Sequence, residues 1–263
     1  MKFHRIEKHY NKEAKIYGKS PKSTMPDLFI RKMEIAKIQE YIEKFKNKEN
    51  TNVLEIGCGN GYTISQLSKK KSYNFVGVDS NNEMIKLALT RKKSNLKFFR
   101  DNILNSKLKN ESFDIVYTER CLINLENWSN QKTALNEIHR VLKKGGVYIM
   151  IEAFKDGLTE LNSARKVLGL NDISIAFHNC YFDKKKIEKS IKSKFKDPIS
   201  KSKIKIHYEN FLSSYYFGSR VLYPALIEGK KEIIYNNEFI RFFSLIPSVG
   251  NYSQIQLCVL QKI

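Results

Sequence analysis

Three glycines within five residues, set between an apolar strand and a helix, restrict this chain to few folds. The stretch Val53-Leu54-Glu55-Ile56-Gly57-Cys58-Gly59-Asn60-Gly61 reads as a buried strand that breaks on a turn and enters a helix, TISQLSKKK. Glycine suits such a turn because it adopts positive φ and because its missing side chain lets a ligand lie against the backbone. About twenty residues on, Phe75-Val76-Gly77-Val78-Asp79 forms a second apolar strand that ends on an acid. An acid at that strand tip is placed to hold a pair of ribose hydroxyls. The spacing is G-x-G-x-G rather than the dinucleotide G-x-G-x-x-G. Glu55, so close to the helix start, would serve a pyrophosphate poorly, so the expected ligand is adenosine-like with a cationic or zwitterionic tail.

Further strands follow in order. Residues 96–103 (LKFFRDNI) end in Asp101-Asn102, and 113–119 (FDIVYTE) end at Glu119, followed by Arg120-Cys121-Leu122-Ile123-Asn124. Residues 131–146 carry Leu135, Ile138 and Leu142 at helical spacing. That helix is expected to close on Lys143-Lys144-Gly145-Gly146, with cations over its last carbonyls and glycine as the stop. A fifth strand is expected over 147–154. With Glu55 to Gly61 matching E-x-G-C-G-x-G and the acids in sequence, the chain resembles class I S-adenosylmethionine-dependent methyltransferases. The resemblance implies an α/β, Rossmann-like fold: a seven-stranded, mostly parallel sheet with helices on both faces. It further implies that Asp101 meets the adenine amino group, that the next backbone amide meets a ring nitrogen, and that donor and acceptor meet beside Glu119. The expected cofactor contacts are Glu55, Gly57, Cys58, Gly59, Gly61, Asp79, Ser80 and Met84, then Asp101, Asn102, Ile103 and Glu119.

At 263 residues the chain is long enough for one large α/β domain. No run of 18 apolar residues suggests a membrane span, and the first residues lack the apolar core of a secretory signal. Four cysteines (Cys58, Cys121, Cys180, Cys258) stand far apart with no metal-ligand spacing, which argues for reduced thiols in a cytoplasm and no metal site. Cys58 and Cys121 read as small packing residues. The net charge of +20 is carried in short lysine clusters without interleaved aromatics. It is read as solvated surface or as attraction for a small anionic substrate, with nucleic acid the less favoured partner.

Residues 1–50 are expected to form an N-terminal helical lid, 51–155 the cofactor-binding half, and 156–263 an acceptor-side half with a helical insertion over about 210–254. Residues 27–45 read as an amphipathic helix started by Pro26 and Asp27. The irregular stretch before it, with Tyr17, Thr24 and Met25, should lie across the cofactor and exclude water. Arg31 is the candidate partner for the methionyl carboxylate, the alternative being a surface cation. Strands six and seven are assigned to 202–209 and 255–262. The segments YTERCLINLENW, GLTELNSARKVLGL, AFHNCYF and YYFGSRVLYPAL resemble methyltransferases of bacterial capsule and lipopolysaccharide biosynthesis clusters. That resemblance implies an acceptor that is a sugar or a sugar-linked group, with an O-methyl phosphoramidate of capsule as the specific case.

Methyl transfer from a sulfonium needs both partners aligned and, for a hydroxyl acceptor, a base. His178 is the candidate base because an imidazole titrates near neutrality; a structural histidine beside Asn179 is the competing reading. Glu152 is a second candidate. Tyr216, Arg220 and Tyr223, at i, i+4 and i+7, share a helix face that could grip an anionic oxygen. Asn179 joins them on the acceptor side, and Tyr10 and Tyr17 are weaker donor contacts. Two other functions stay open. A nucleic-acid methyltransferase acting on exocyclic amines would carry [DNS]-P-P-[YFW] after strand four, where this chain has Thr118-Glu119-Arg120-Cys121, leaving ribose methylation possible. A non-catalytic cofactor-binding partner subunit would tend to lose the glycines or Asp79, all of which are present.

Overall fold

The computed structural model describes residues 2–46, 50–70, 72–199, 206–227 and 234–263. The front half alternates strand and helix: β1 (Thr51–Ile56), α3 (Tyr62–Leu67), β2 (Tyr73–Asp79), α4 (Asn82–Leu89), β3 (Leu96–Arg100), β4 (Phe113–Glu119), α5 (Trp128–Val141) and β5 (Leu142–Ala153). Two helices, α1 (Lys2–Tyr17) and α2 (Leu28–Phe45), precede them. The back half carries α6 (Lys155–Val167), α7 (Lys184–Ile191), β6 (Phe195–Lys196), β7 (Tyr208–Glu209), α8 (Ser213–Phe217), α9 (Tyr223–Leu226), α10 (Glu238–Phe243) and β8 (Ile255–Lys262).

The sheet order is β3-β2-β1-β4-β5-β8-β6, with β7 also against β8. Strands β1 to β5 pair in parallel, and β8 runs antiparallel to β5, β6 and β7. The order reverses between β1 and β4, and a crevice opens beyond the carboxyl ends of strands at such a switch point. The expected Rossmann-like fold is therefore present.

Strand alternation divides the core into two layers. Val53, Ile115, Tyr117, Ile149, Ile151 and Val259 face one side, where Ile30, Ile38 and Ile42 of α2 and Phe211, Tyr215 and Val221 of the insertion cover them. Leu54, Val116, Tyr148, Met150, Cys258 and Leu260 face the other, against Leu135 and Ile138 of α5 and Ile187 and Ile191 of α7. Both faces are covered, which is why these strands read as near-continuous apolar runs.

Three expectations change. The helix expected over 131–146 is α5, already complete at Val141, and the chain passes directly into β5. Lys143 thus lies in a strand, where its Nζ meets both oxygens of Asp114 at 2.9 Å, and His139 and Arg140 occupy the last helical turn. The sixth strand is split into β6 and β7, because Asp197 ties the excursion between them through the backbone N–H groups of Ile199 and His207, both at 2.7 Å. Of the strand expected over 202–209, only Tyr208–Glu209 is seen, and 202–205 fall outside the described residues. Finally, within the N-terminal segment expected to be helical, where only 27–45 was assigned as a helix, residues 2–17 form a helix of their own.

Candidate functional site

Asp27 caps α2 by accepting from the N–H groups of Phe29 and Ile30, which fixes where the helix starts and which side chains point at the sheet. One turn in, Arg31 enters the crevice over the ends of β1 and β4. The glycine turn after β1 puts Gly57 and Gly59 at φ +77° and +52°. A Cβ on Gly57 would collide with Cys121 Sγ, whereas one on Gly59 would meet open space. The turn is closed over by the loop before α2: Asn60 Nδ2 donates to the carbonyls of Gly18 (2.9 Å) and Ser20 (3.1 Å).

A cavity of about 770 Å³ occupies this crevice. Around the ends of β1 and β2 its walls include Glu55, Gly57, Cys58, Gly59, Asp79 and Ser80. Asp101, Asn102 and Ile103 continue that wall at the end of β3, and Glu119 stands at the tip of β4. The lid contributes Thr24, Met25 and Arg31, and α1 contributes Tyr10. From the back half of the chain the wall takes His178, Asn179, Tyr181, Tyr216 and Gln254. Most expected cofactor and acceptor positions therefore share one cavity.

Asp79 is held rigidly. One oxygen accepts from Gly59 N (2.9 Å) and the other from Asn81 N (2.8 Å). Burial raises its pKa and these two bonds pull it back. Asp101 Oδ2 accepts from Lys107 N at 3.1 Å, and Asn102 caps the following turn at Leu104 N. Glu55 is 2% exposed, its Oε2 lacks a partner, and burial followed by the Glu119 charge pushes its pKa well up. Burial also raises the Cys58 and Cys121 thiols far above their ordinary range, consistent with packing rather than nucleophilic roles.

Beneath the lid lies a buried charge cluster that sequence reasoning missed. Arg120 donates through Nε to Glu34 (2.9 Å), through Nη2 to Glu119 (2.8 Å) and through Nη1 to the Thr24 carbonyl (3.1 Å). Arg31 donates to the Ser23 carbonyl (2.7 Å), Thr24 Oγ1 (3.1 Å) and Thr63 Oγ1 (3.3 Å), and lies 3.9 Å from Glu119. Burial opposes charge on every member. Arg120 and Arg31 outweigh it at Glu119, which stays well below the usual carboxylate range, whereas burial prevails at Glu34 and raises it. Arg120 sits at φ +53°, a strained value for a non-glycine residue, and this network holds it there. Glu34 and Arg120 are 86 residues apart, so no local pattern announces their pairing.

Several candidates lie elsewhere. Tyr17, Gly61 and Met84 are outside the cavity wall; Met84 lies on the buried side of α4 at 1% exposure, and Gly61 turns the chain into α3 against Phe98. Glu152 is fully buried, and its carboxylate accepts the N–H groups of Cys121, Leu122 and Ile123 at 3.1, 2.9 and 3.2 Å. It braces the turn after β4 and does not reach the cavity, so it is no base. Arg220 is tied to Asp27 at 2.7 Å and stacked on Tyr235 at 3.6 Å, and Tyr223 stacks on Phe239. Arg220 does lie over the Tyr216 ring, 5.4 Å from its centroid, but Tyr223 leaves that face for Phe239, because residues Gly218–Leu222 form a π-helical turn that departs from the 3.6-residue spacing. Of the three, Tyr216 alone lines the cavity. The unforeseen wall residues on α1, Ile6 and Glu7 beside Tyr10, carried no sequence signal.

The methyltransferase-domain family model matches residues 47–194. This chain belongs to that family. It is 32% identical over 122 residues to the carboxy-S-adenosyl-L-methionine synthase of Staphylococcus epidermidis, covering 45% of this chain and 52% of that protein. It is 27% identical over 123 residues to an O-methyltransferase of Aspergillus nomiae, covering 45% of this chain and 53% of that protein. The chain thus spans about half the length of these relatives. Among solved structures, the magnesium protoporphyrin IX methyltransferase of Synechocystis superposes with a TM-score of 0.57 at 12% identity, covering 91% of this chain and 87% of that one, which is a likeness of fold. The expectation of a methyl-transferring enzyme that uses S-adenosylmethionine agrees with the family. Among the described residues no helix is long and apolar enough to cross a membrane, and no cluster of His, Cys, Asp and Glu is placed to hold a metal.

Proposed function

We propose that this chain is an S-adenosylmethionine-dependent O-methyltransferase acting on a small anionic, sugar- or nucleotide-linked precursor of bacterial surface polysaccharide. The observation that carries the reading is one continuous cavity joining the Gly59–Asp79–Asp101 wall to His178 and Tyr216. Its volume suits a ligand of cofactor size plus a small acceptor. The residues present fit the donor. Each Asp79 oxygen keeps a lone pair beyond its backbone bond and can accept from a ribose hydroxyl. Gly59 leaves room at the backbone, and the unpartnered Glu55 Oε2 and Arg31 Nε suit an amine and a carboxylate respectively. When bound, S-adenosylmethionine supplies an electrophilic methyl group on a sulfonium.

The chain's own residues do the rest. Tyr10 and the lid loop exclude water, and the Arg31–Glu119–Arg120–Glu34 cluster fixes the lid against the tip of β4. His178, on the acceptor wall, takes the proton from the acceptor hydroxyl. The resemblance of the back half to capsule and lipopolysaccharide enzymes supports the acceptor class. The test is transfer of label from methyl-tritiated S-adenosylmethionine into fractions of a lysate from a capsule-forming bacterium. Label in small anionic molecules supports the reading, and label in RNase-sensitive macromolecules overturns it. His178→Ala should abolish transfer to a hydroxyl; full activity would indicate an acceptor already anionic at the attacking atom, as in a phosphoramidate.

A further inference from the structure

An anionic acceptor needs a cation, and the wall around His178 and Tyr216 carries no arginine or lysine that is free of a carboxylate among the described residues. Arg31 and Arg120 are committed to Glu119, Glu34 and loop carbonyls. Arg220 lies behind Asp27. Arg100 and Lys107 stand at the β3 end, where Arg100 Nε already donates to the Ser80 carbonyl. The acceptor wall itself is made of amides, phenols and the imidazole of His178.

The rim beside that wall is different. Arg5 and His9 are one turn apart on α1 and share a face. The Arg5 guanidinium rests 5.0 Å from the centroid of the Phe177 ring, a contact that orients the fork without using its N–H groups. No carboxylate pairs with Arg5 among the described residues. The His9 ring stacks on His178 with centroids 4.5 Å apart and planes 19° apart, and meets Phe177 edge-on at 6.0 Å. Phe177 is 52% exposed, a large aromatic left at the surface directly before a cavity residue. Glu7, on the adjacent flank of α1, lines the cavity and repels anions from that side.

We propose that Arg5 and His9 form an anion seat at the rim, which holds the phosphoryl group of the acceptor while its hydroxyl reaches His178. This rests on the acceptor reading above. Arg5 supplies a planar fork suited to phosphate oxygens, His9 a further N–H donor, and Glu7 fixes which way round the acceptor enters. Arg5 and His9 are thus specificity residues, and Phe177 positions Arg5.

The test titrates the protein, saturated with S-adenosylhomocysteine, with inorganic phosphate and with glucose 1-phosphate, using methyl glucoside as the uncharged control. Imidazole NMR resonances of His9 and His178 are the readout. Both phosphates should shift His9 saturably and methyl glucoside should not. Arg5→Ala should weaken phosphate binding about five-fold or more, and Arg5→Lys should restore part of it. Unchanged affinity in Arg5→Ala, or no saturable shift of His9, overturns the seat. Arg5 is exposed, so the fold should tolerate both changes. Calorimetric binding of S-adenosylhomocysteine, measured separately, judges the donor site; its loss would sink the methyltransferase reading and leave the seat to be judged by the phosphate titration alone.

Discussion

Asp79 has two duties that one substitution can separate. Its oxygens anchor the glycine turn through Gly59 N and the start of α4 through Asn81 N, and they are the proposed ribose acceptors. Asp79→Ala should weaken S-adenosylhomocysteine binding by ~2–4 kcal/mol. Asp79→Asn, which keeps the shape and one acceptor, should lose less. Equal calorimetric affinity in all three proteins would show that the ribose does not sit there. Gly57 makes a different demand: its φ of +77° and the crowding by Cys121 both exclude a Cβ. Gly57→Ala should cost about 1–3 kcal/mol of stability in urea unfolding; a wild-type midpoint would mean that the turn relaxes freely. At this scale the candidate donor positions Asp79, Asp101 and Glu119 were legible as one cavity wall because each lies at or just past the end of its own strand, where pattern and position coincide. The candidate acceptor positions divided: His178, Asn179 and Tyr216 line the cavity, and Arg220, Tyr223 and Glu152 do not. Glu152 looked like a base because a carboxylate in a strand near a site carries no mark of which way it faces, and only the fold shows three backbone amides converging on it.

Elements answer to pH through the same residue. Glu152 of β5 is pushed up to about 7, chiefly by burial, against the pull of the backbone N–H groups of Leu122, Ile123 and Cys121. An acid whose folded pKa lies above its unfolded value keeps a proton in the fold that the unfolded chain has released. Its stabilising effect is therefore complete below the ordinary value of 4.5 and is lost as the pH rises toward 7. Across that window the wild type should lose up to ~3 kcal/mol that Glu152→Gln does not lose. Parallel denaturant curves at pH 5 and pH 7.5 for the two proteins would contradict this. The strands and most helices followed from apolar periodicity, but two boundaries did not. The helix before β5 stops early because Leu142 pairs with Phe113 and Lys143 Nζ meets Asp114, long-range contacts with no local signature. The segment after Phe217 was read with an ordinary helical repeat, whereas Gly218–Leu222 form a π turn; Arg220 keeps its place over Tyr216 but is tied to Asp27, and Tyr223 packs on Phe239.

The molecule as a whole brings its first helix to the site. Tyr10 of α1 lines the cavity, Asn81 Nδ2 of the α4 cap donates to Asn11 Oδ1 at 2.8 Å, and Thr24 N donates to Glu13 at 3.2 Å. These ties are few compared with the packing of α2 against the sheet, so α1 should open more readily than the core. Binding of S-adenosylhomocysteine should slow amide exchange in residues 4–17 by about ten-fold or more while leaving β5 and β8 unchanged. Equal exchange with and without it would show that α1 is no part of the cover. The first fifty residues were expected to cover the site, but their composition alone could not say that α1 and α2 both lie beside the cavity or which side chains they bring to its wall. The insertion follows another logic. It leaves the sheet after Glu209, which pairs with Leu257, and returns at Ile255, so its two ends are neighbours on β8. Lineages descended from such an ancestor could therefore lengthen, trim or replace this stretch without re-registering a single strand, inheriting the donor half intact while their choice of acceptor drifts.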